Sequence, residues 1–209
     1  TSCKEDEVKV NEAEVLVKYL ESNGDYANAY LPAMITATDV KTLLATNSVY
    51  VVDIRSAADF ETGHIPGAHN VALADIITHV KALDLSSYEK VAVVCYTGQT
   101  AGFATTLLQL SGVDKAAAMG FGMCSWNADF AGPWNGKISN AYATQFEKTS
   151  VAKGEAGELP TLSTGKTEGA DILEAQISTV LTGGFTEATI TNAMVMDNPS
   201  NYYVINYWA

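Results

Sequence analysis

Three cysteines, Cys3, Cys95 and Cys124, are the residues of this sequence best suited to covalent chemistry. Their number is odd and their spacings unrelated, so neither a disulfide framework nor a CxxC pair is available and each thiol stands alone. Cys95 has the most informative surroundings. The apolar run Val91-Ala-Val-Val94 leads into Cys95-Tyr96-Thr97-Gly98-Gln99-Thr100 and then into a small-residue helix, Ala101 to Leu110. A thiol between a buried parallel strand and a helix N-terminus meets unpaired backbone amides and a partial positive charge, and both favour the thiolate. Such settings can move a cysteine from about 8.5 to roughly 3.5–7.5, which makes it nucleophilic without a partner histidine. Gly98 permits the loop to turn its backbone toward the sulfur, and the Thr97 and Thr100 hydroxyls can donate to it or to a bound oxyanion. An inert packing cysteine at a strand end is equally common. The pattern by itself leaves the two readings level.

The other chemistry-bearing residues are scattered. Cys124 is either a resolving thiol for Cys95 or a small packing residue beside Trp126. His64 and His69 flank the loop around Pro66 and His79 falls on a separate helix, with no Cys or carboxylate cluster of metal spacing nearby, so no metal site is expected. No GxxxxGK[ST] phosphate loop occurs, and no cofactor is implied. With 12 Lys+Arg against 24 Asp+Glu, the net charge of -12 disfavours broad contact with nucleic acid or anionic lipid. No apolar run approaches the roughly 20 residues that span a bilayer. The start Thr1-Ser2-Cys3, followed by Lys4-Glu5-Asp6-Glu7, has the look of a lipidated cysteine and its tether, or simply of an exposed cysteine.

The elements that must position Cys95 follow from periodicity. At 209 residues and 47% hydrophobic side chains, one domain with an appendage is expected. Apolar residues at helical spacing from Val8 to Leu20 predict a leading helix that stops at Asn23-Gly24. Thr38-Asp39 predicts the cap of a short helix, Val40 to Leu44. Val49 to Ile54 is too short for a helix and predicts a buried strand. A helical turn at Ala57 to Glu61, a loop at Gly63-His64-Ile65-Pro66-Gly67, a strand at His69 to Ala72 and a helix from Leu73 to about Leu83 follow. Ala116 to Met119 predicts a further strand and Gly120-Phe121-Gly122 a turn. Strands alternating with helices imply right-handed parallel βαβ units with functional groups at the carboxyl ends of the strands, where Cys95 sits.

From Gly132 to Gly169 the chain is rich in Gly, Ser, Thr, Lys and Glu without periodicity and reads as a linker or surface segment. Thr189 to Asn206 can be laid over Thr36 to Asp53 without a gap, which predicts a half-repeat ending in a strand at Tyr202 to Asn206. Such a strand would need to be paired, within the chain or with a second copy in a homodimer. The Tyr202, Tyr203, Tyr207 and Trp208 cluster is either a binding face or a packed strand.

Three ordered motifs resemble those of rhodanese-like sulfurtransferases. Asp53-Ile-Arg55 through Asp59-Phe60 to Gly63-His64-Ile65-Pro66-Gly67-Ala68 is similar to a characteristic segment of that family, Val91 to Ala101 looks like its active-site loop, and Gly120 with Trp126 looks like its closing motif. The likeness covers about Ile35 to Phe130. It implies an α/β fold, a parallel sheet flanked by helices on both faces. It also implies that Cys95 accepts a sulfane sulfur as a persulfide and passes it to a thiol or other nucleophile, with the amides of Tyr96, Thr97, Gly98, Gln99 and Thr100 cradling it. By the same resemblance Asp53 and Arg55 form a structural buried pair. Thr100 stands where many members carry Arg, so weak thiosulfate activity is expected. Ala101 stands where the related cysteine phosphatases need Arg, which disfavours that chemistry.

The resulting division is 1–34 for a tether and helix, 35–131 for the rhodanese-like domain, 132–170 for a linker or surface segment and 171–209 for the half-repeat, the last two having no counterpart in a single-domain member. The expected partners are a small sulfur donor and a thiol acceptor, with no nucleic acid. The expected location is the bacterial envelope or periplasm, lipid-anchored through Cys3, with the cytoplasm as the alternative. A non-catalytic or redox module that docks a partner through its C-terminal extension is the competing function.

Overall fold

The computed structural model describes residues 10–30, 33–145, 148–149, 152, 154–155 and 157–205, so Cys3, Tyr207 and Trp208 lie outside the described residues. Five parallel strands form one sheet: β1 (Met34–Ile35), β2 (Val49–Asp53), β3 (His69–Asn70), β4 (Lys90–Val94) and β5 (Ala116–Met119), in the order β1-β5-β4-β2-β3. The long strands sit in the middle. β2 is buried along its whole length and β4 at all but its first residue, as apolar runs covered on both faces must be.

Alternation along β2 and β4 sends side chains to two cores. Tyr50, Val52, Val91, Val93 and Cys95 pack with α5 (Ile76–Lys81) and α6 (Gln99–Leu110) through Ile76, Val80, Ala101, Ala104 and Leu108. Val49, Val51, Ala92 and Val94 face Val40 of α3 (Ala37–Ala45), Ile65 of the loop after α4 (Ala57–Thr62) and Met123 of α7 (Met123–Trp126). The α/β sheet expected from the sequence is therefore the architecture observed. The helix α3 starts earlier than its expected Thr38-Asp39 cap, because Thr36 Oγ1 accepts from the Asp39 amide at 3.0 Å while its hydroxyl donates to the Asp39 carboxylate at 2.7 Å.

Two departures concern the flanks. The leading helix α1 (Glu12–Ser22) is capped by Asn11, and α2 (Tyr26–Tyr30) follows it. Beyond the sheet come α8 (Gly132–Asn135), α9 (Gly169–Glu187) and α10 (Asn192–Asp197). The chain before α9 is anchored where the Glu12 carboxylate accepts from the Thr164 amide and hydroxyl, both at 2.7 Å, and the Gly165 amide at 2.9 Å. α9 then packs against α1 and α6, with Ile172 fully buried. This helix is part of the domain's outer layer. Ile172→Ala should accordingly cost about 2–5 kcal/mol in urea unfolding. An unchanged midpoint would mean that α9 is only loosely attached.

The half-repeat does not form as expected. Thr191, not Thr189, caps α10, so the helix starts two residues out of register with α3, whose cap is Thr36. Tyr202 to Ile205 form no strand, and Tyr203, Val204 and Ile205 are largely exposed; Asn206 lies outside the described residues. Pro199 opens a 3-10 turn whose carbonyl takes the Tyr202 amide at 3.2 Å, which removes the donor the strand would start with. Among the described residues there is thus no C-terminal strand through which two copies could pair. No helix of the described residues is long and apolar enough to cross a membrane.

Candidate active site

Cys95 is the first residue after β4 and is 2% exposed. The loop from it to α6 curls so that two amides converge on its sulfur: Gly98 N donates to Sγ at 3.1 Å and Ala101 N at 3.3 Å. Gly98 makes the turn with φ +93° as the residue preceding α6, a conformation that costs other residues energy. Amide donors and the positive end of a twelve-residue helix both stabilise negative charge on sulfur. The cradle differs in detail from the expected one. Ala101, in the first turn of α6, supplies a donor that lay outside the expected set, and among the described residues neither the Thr97 nor the Thr100 hydroxyl bonds to Sγ.

The loop is held from outside by the turn after β5. Met123 N donates to the Cys95 carbonyl at 2.9 Å and Cys124 N to the Tyr96 carbonyl at 3.2 Å, so the first amides of α7 lock the first two carbonyls of the loop. The Cys124 Sγ lies 3.1 Å from the same Tyr96 carbonyl oxygen and 3.3 Å from that of Phe130, either of which its one S–H can reach. These bonds make Cys124 a tie between loop and α7. Gly122 sits so close that a Cβ there would lie 2.3 Å from the Cys95 carbonyl oxygen. Its importance was hidden in the sequence, where Gly120-Phe121-Gly122 reads only as a turn.

One strand away, Asp53 and Arg55 form a buried ion pair. Arg55 Nη2 donates to Asp53 Oδ2 at 2.6 Å and to the Gly63 carbonyl at 2.7 Å, and Nε reaches both carboxylate oxygens at 3.0 and 3.1 Å. Asn70 Nδ2 donates to the Asp53 and Arg55 carbonyls at 3.0 and 2.9 Å, binding the strand end to the same knot. The Phe130 and Tyr96 rings lie 5.4 and 6.0 Å from the guanidinium carbon. Arg55 is the single arginine in the sequence. Its Nε and Nη2 are engaged by Asp53 and Gly63 and its side chain is 1% exposed, so it presents little to an incoming anion.

Tyr96 turns away from the sulfur, its hydroxyl donating to Asp59 Oδ2 at 2.5 Å. Hydrogen bonds from the Ser56 hydroxyl and then from Tyr96 hold the Asp59 carboxyl below the usual aspartate range, with Arg55 adding a smaller attraction. A depressed carboxylate contributes above its ordinary value and loses that contribution as pH falls through the lowered one. The tether is therefore intact at neutral pH and released in acid. Carbon-13 NMR of Asp59 should show a midpoint below that of free aspartate, moving upward in Tyr96→Phe; an unmoved midpoint would show that the phenol is not bound.

The histidines play other parts. His64 stacks on Phe60 at 3.8 Å and its Nδ1 meets the Phe60 carbonyl, His69 stacks on Tyr50, and His79 Nε2 lies 2.9 Å from the Tyr50 hydroxyl. A recess of about 650 Å³ near the amino end of β2 includes no residue of loop 95–100.

A parallel sheet that delivers a cysteine into an amide-lined loop at a strand's carboxyl end, with a buried acid–arginine pair beside it, defines the class of α/β domain. The chain belongs to the rhodanese family, whose rhodanese-like domain matches residues 36–129. A thiosulfate sulfurtransferase, GlpE of Ectopseudomonas mendocina (strain ymp), is 34% identical over 90 residues, covering 42% of this chain and 78% of that protein. YrkF of Bacillus subtilis (strain 168) is 21% identical over 118 residues, covering 55% of this chain, and the chain spans 63% of its length. Among solved structures, a rhodanese-like domain protein from Staphylococcus aureus is 23% identical, with 45% of this chain and 90% of that one covered and a TM-score of 0.39.

Proposed function

We propose that the protein is a sulfurtransferase in which Cys95 carries a sulfane sulfur as a persulfide and hands it to a thiol or another nucleophile. The observation that carries this reading is the convergence of the Gly98 and Ala101 amides on Sγ. A packing cysteine needs no such donors, whereas a sulfur that cycles between thiolate and persulfide anion uses them in both states. The thiolate attacks the outer sulfur of a donor, the donor's bond to that sulfur breaks, and the donor leaves with its electron pair. The acceptor then attacks the outer sulfur of the Cys95 persulfide, and Cys95 leaves as thiolate.

The 78% coverage of the thiosulfate sulfurtransferase from Ectopseudomonas mendocina supports the same class. Thiosulfate itself fits poorly here, since the loop has no basic side chain and Arg55 is occupied. Thiocyanate formation from thiosulfate and cyanide should therefore be slow but real, abolished in Cys95→Ser and retained in Cys124→Ser. Loss of turnover in Cys124→Ser alone would shift the function toward a two-cysteine redox mechanism. Lipidation at Cys3 and residence in the cell envelope remain part of the proposal, tested by labelling the expressed full-length protein with a lipid precursor.

A further inference from the structure

The Cys95 loop has two flanks of opposite character. On the Tyr96 side, a small recess of about 200 Å³ is lined by Arg55, Asp59, Asp129 and Phe130 among others. Its one cation is already paired with Asp53, so the two remaining carboxylates set its sign. On the Thr97–Gly98–Gln99 side lies a groove of about 610 Å³, lined by no charged residue among the described ones and walled by Met34, Phe121 and Trp134. That volume falls within the roughly 300–1,000 Å³ typical of small-molecule sites.

The wall is built, not incidental. Phe121 holds φ +59°, a left-handed conformation unusual for a bulky residue, and is 54% exposed. Its ring meets Trp134 edge to face, with centroids 5.0 Å apart. Trp134 is carried by α8, within the segment whose composition reads as a linker. Two aromatics and a methionine are thus held out into solvent beside the loop that presents the sulfur.

We propose that this groove binds the organic body of the sulfur acceptor, and that the acceptor is an uncharged thiol with an apolar or aromatic substituent. The inference rests on the sulfurtransferase reading above. Charge complementarity selects this class: the groove is neutral, the opposite flank is acidic and the chain carries a net charge of -12, so anionic thiols gain no partner on either side. In the transfer step the acceptor thiolate attacks the outer sulfur of the Cys95 persulfide. The S–S bond breaks, Cys95 leaves as thiolate, and the product is the acceptor's persulfide.

The test compares benzyl mercaptan with 2-mercaptoethanesulfonate as acceptors from persulfide-loaded protein, with rates corrected for thiolate fraction. The groove should favour benzyl mercaptan, and Phe121→Ala or Trp134→Ala should cut that preference ratio roughly tenfold. Equal rates, or a ratio that both variants leave unmoved, would overturn the inference. A second measurement needs no persulfide: benzyl methyl sulfide, which cannot transfer sulfur, should slow iodoacetamide labelling of Cys95, and the slowing should weaken in Phe121→Ala. If Cys95 never accepts sulfur while benzyl methyl sulfide still protects it, the groove stands and the sulfurtransferase reading falls. If Cys95 loads normally and neither acceptor preference nor protection appears, only the groove inference falls.

Discussion

Gly122→Ala should reduce sulfur transfer by about a hundredfold or more, because misplacing a reacting group by even 1 Å costs on that order. A methyl group at this position would lie 2.3 Å from the Cys95 carbonyl oxygen and 2.9 Å from both the Cys95 carbonyl carbon and the Gly98 nitrogen. These atoms are backbone and cannot swing aside. The Cys95 carbonyl is also the acceptor for Met123 N, and Gly98 N is one of the two donors to Sγ, so any shift that relieves the clash dismantles the cradle. Gly122 has φ +52° and ψ -143°, a combination reserved for glycine, which adds backbone strain to the steric clash. Transfer rates and thermal unfolding measured on the same preparation check this. A variant that transfers at the normal rate would show that the turn 120–122 does not position the loop.

Arg55→Ala should lower stability by roughly 3–5 kcal/mol, since it strands the buried Asp53 carboxylate. Both side chains are 1% exposed, and the variant also deprives the Gly63 carbonyl of its guanidinium donor. Among the described residues, the donor the carboxylate would keep is the Arg55 backbone amide, at 3.0 Å. Urea unfolding of the single variants Arg55→Ala and Asp53→Asn, and of the double variant, gives the coupling between the two residues. Additive losses would mean that the pair contributes nothing as a pair.

Much of this arrangement was readable in the residues because its determinants are local. The runs Val49–Ile54 and Val91–Val94 are too apolar and too short to be anything but buried strands, whereas a cysteine directly after one of them, followed by Gly98 and a small-residue helix, fits an anion-stabilising loop and an inert packing thiol equally well until the resemblance of the flanking motifs is added. What stayed hidden depends on contacts between distant segments. The role of Gly122 lies in its approach to Cys95, which spacing does not encode. α8 lacks periodicity because it is a single turn, yet it brings Trp134 to Phe121. Likewise the chain before α9 is polar because it runs over the surface, and it is the Glu12 carboxylate, more than a hundred residues away, that ties Thr164 and Gly165 to α1. The supposed C-terminal strand misled for a different reason: Tyr202 to Ile205 has the composition of a strand, but Pro199 commits the first amide to a turn.

The central claim is that Cys95 carries the transferred sulfur, and intact-protein mass spectrometry tests it most directly. After prolonged incubation with thiosulfate, mercaptopyruvate or inorganic polysulfide, the full chain should gain about 32 Da, one sulfur atom as a persulfide. The gain should vanish on adding cyanide and be absent from Cys95→Ala, while Cys124→Ala still shows it. An unmodified mass for the native protein with all three donors, or an undiminished adduct in Cys95→Ala, would contradict the account.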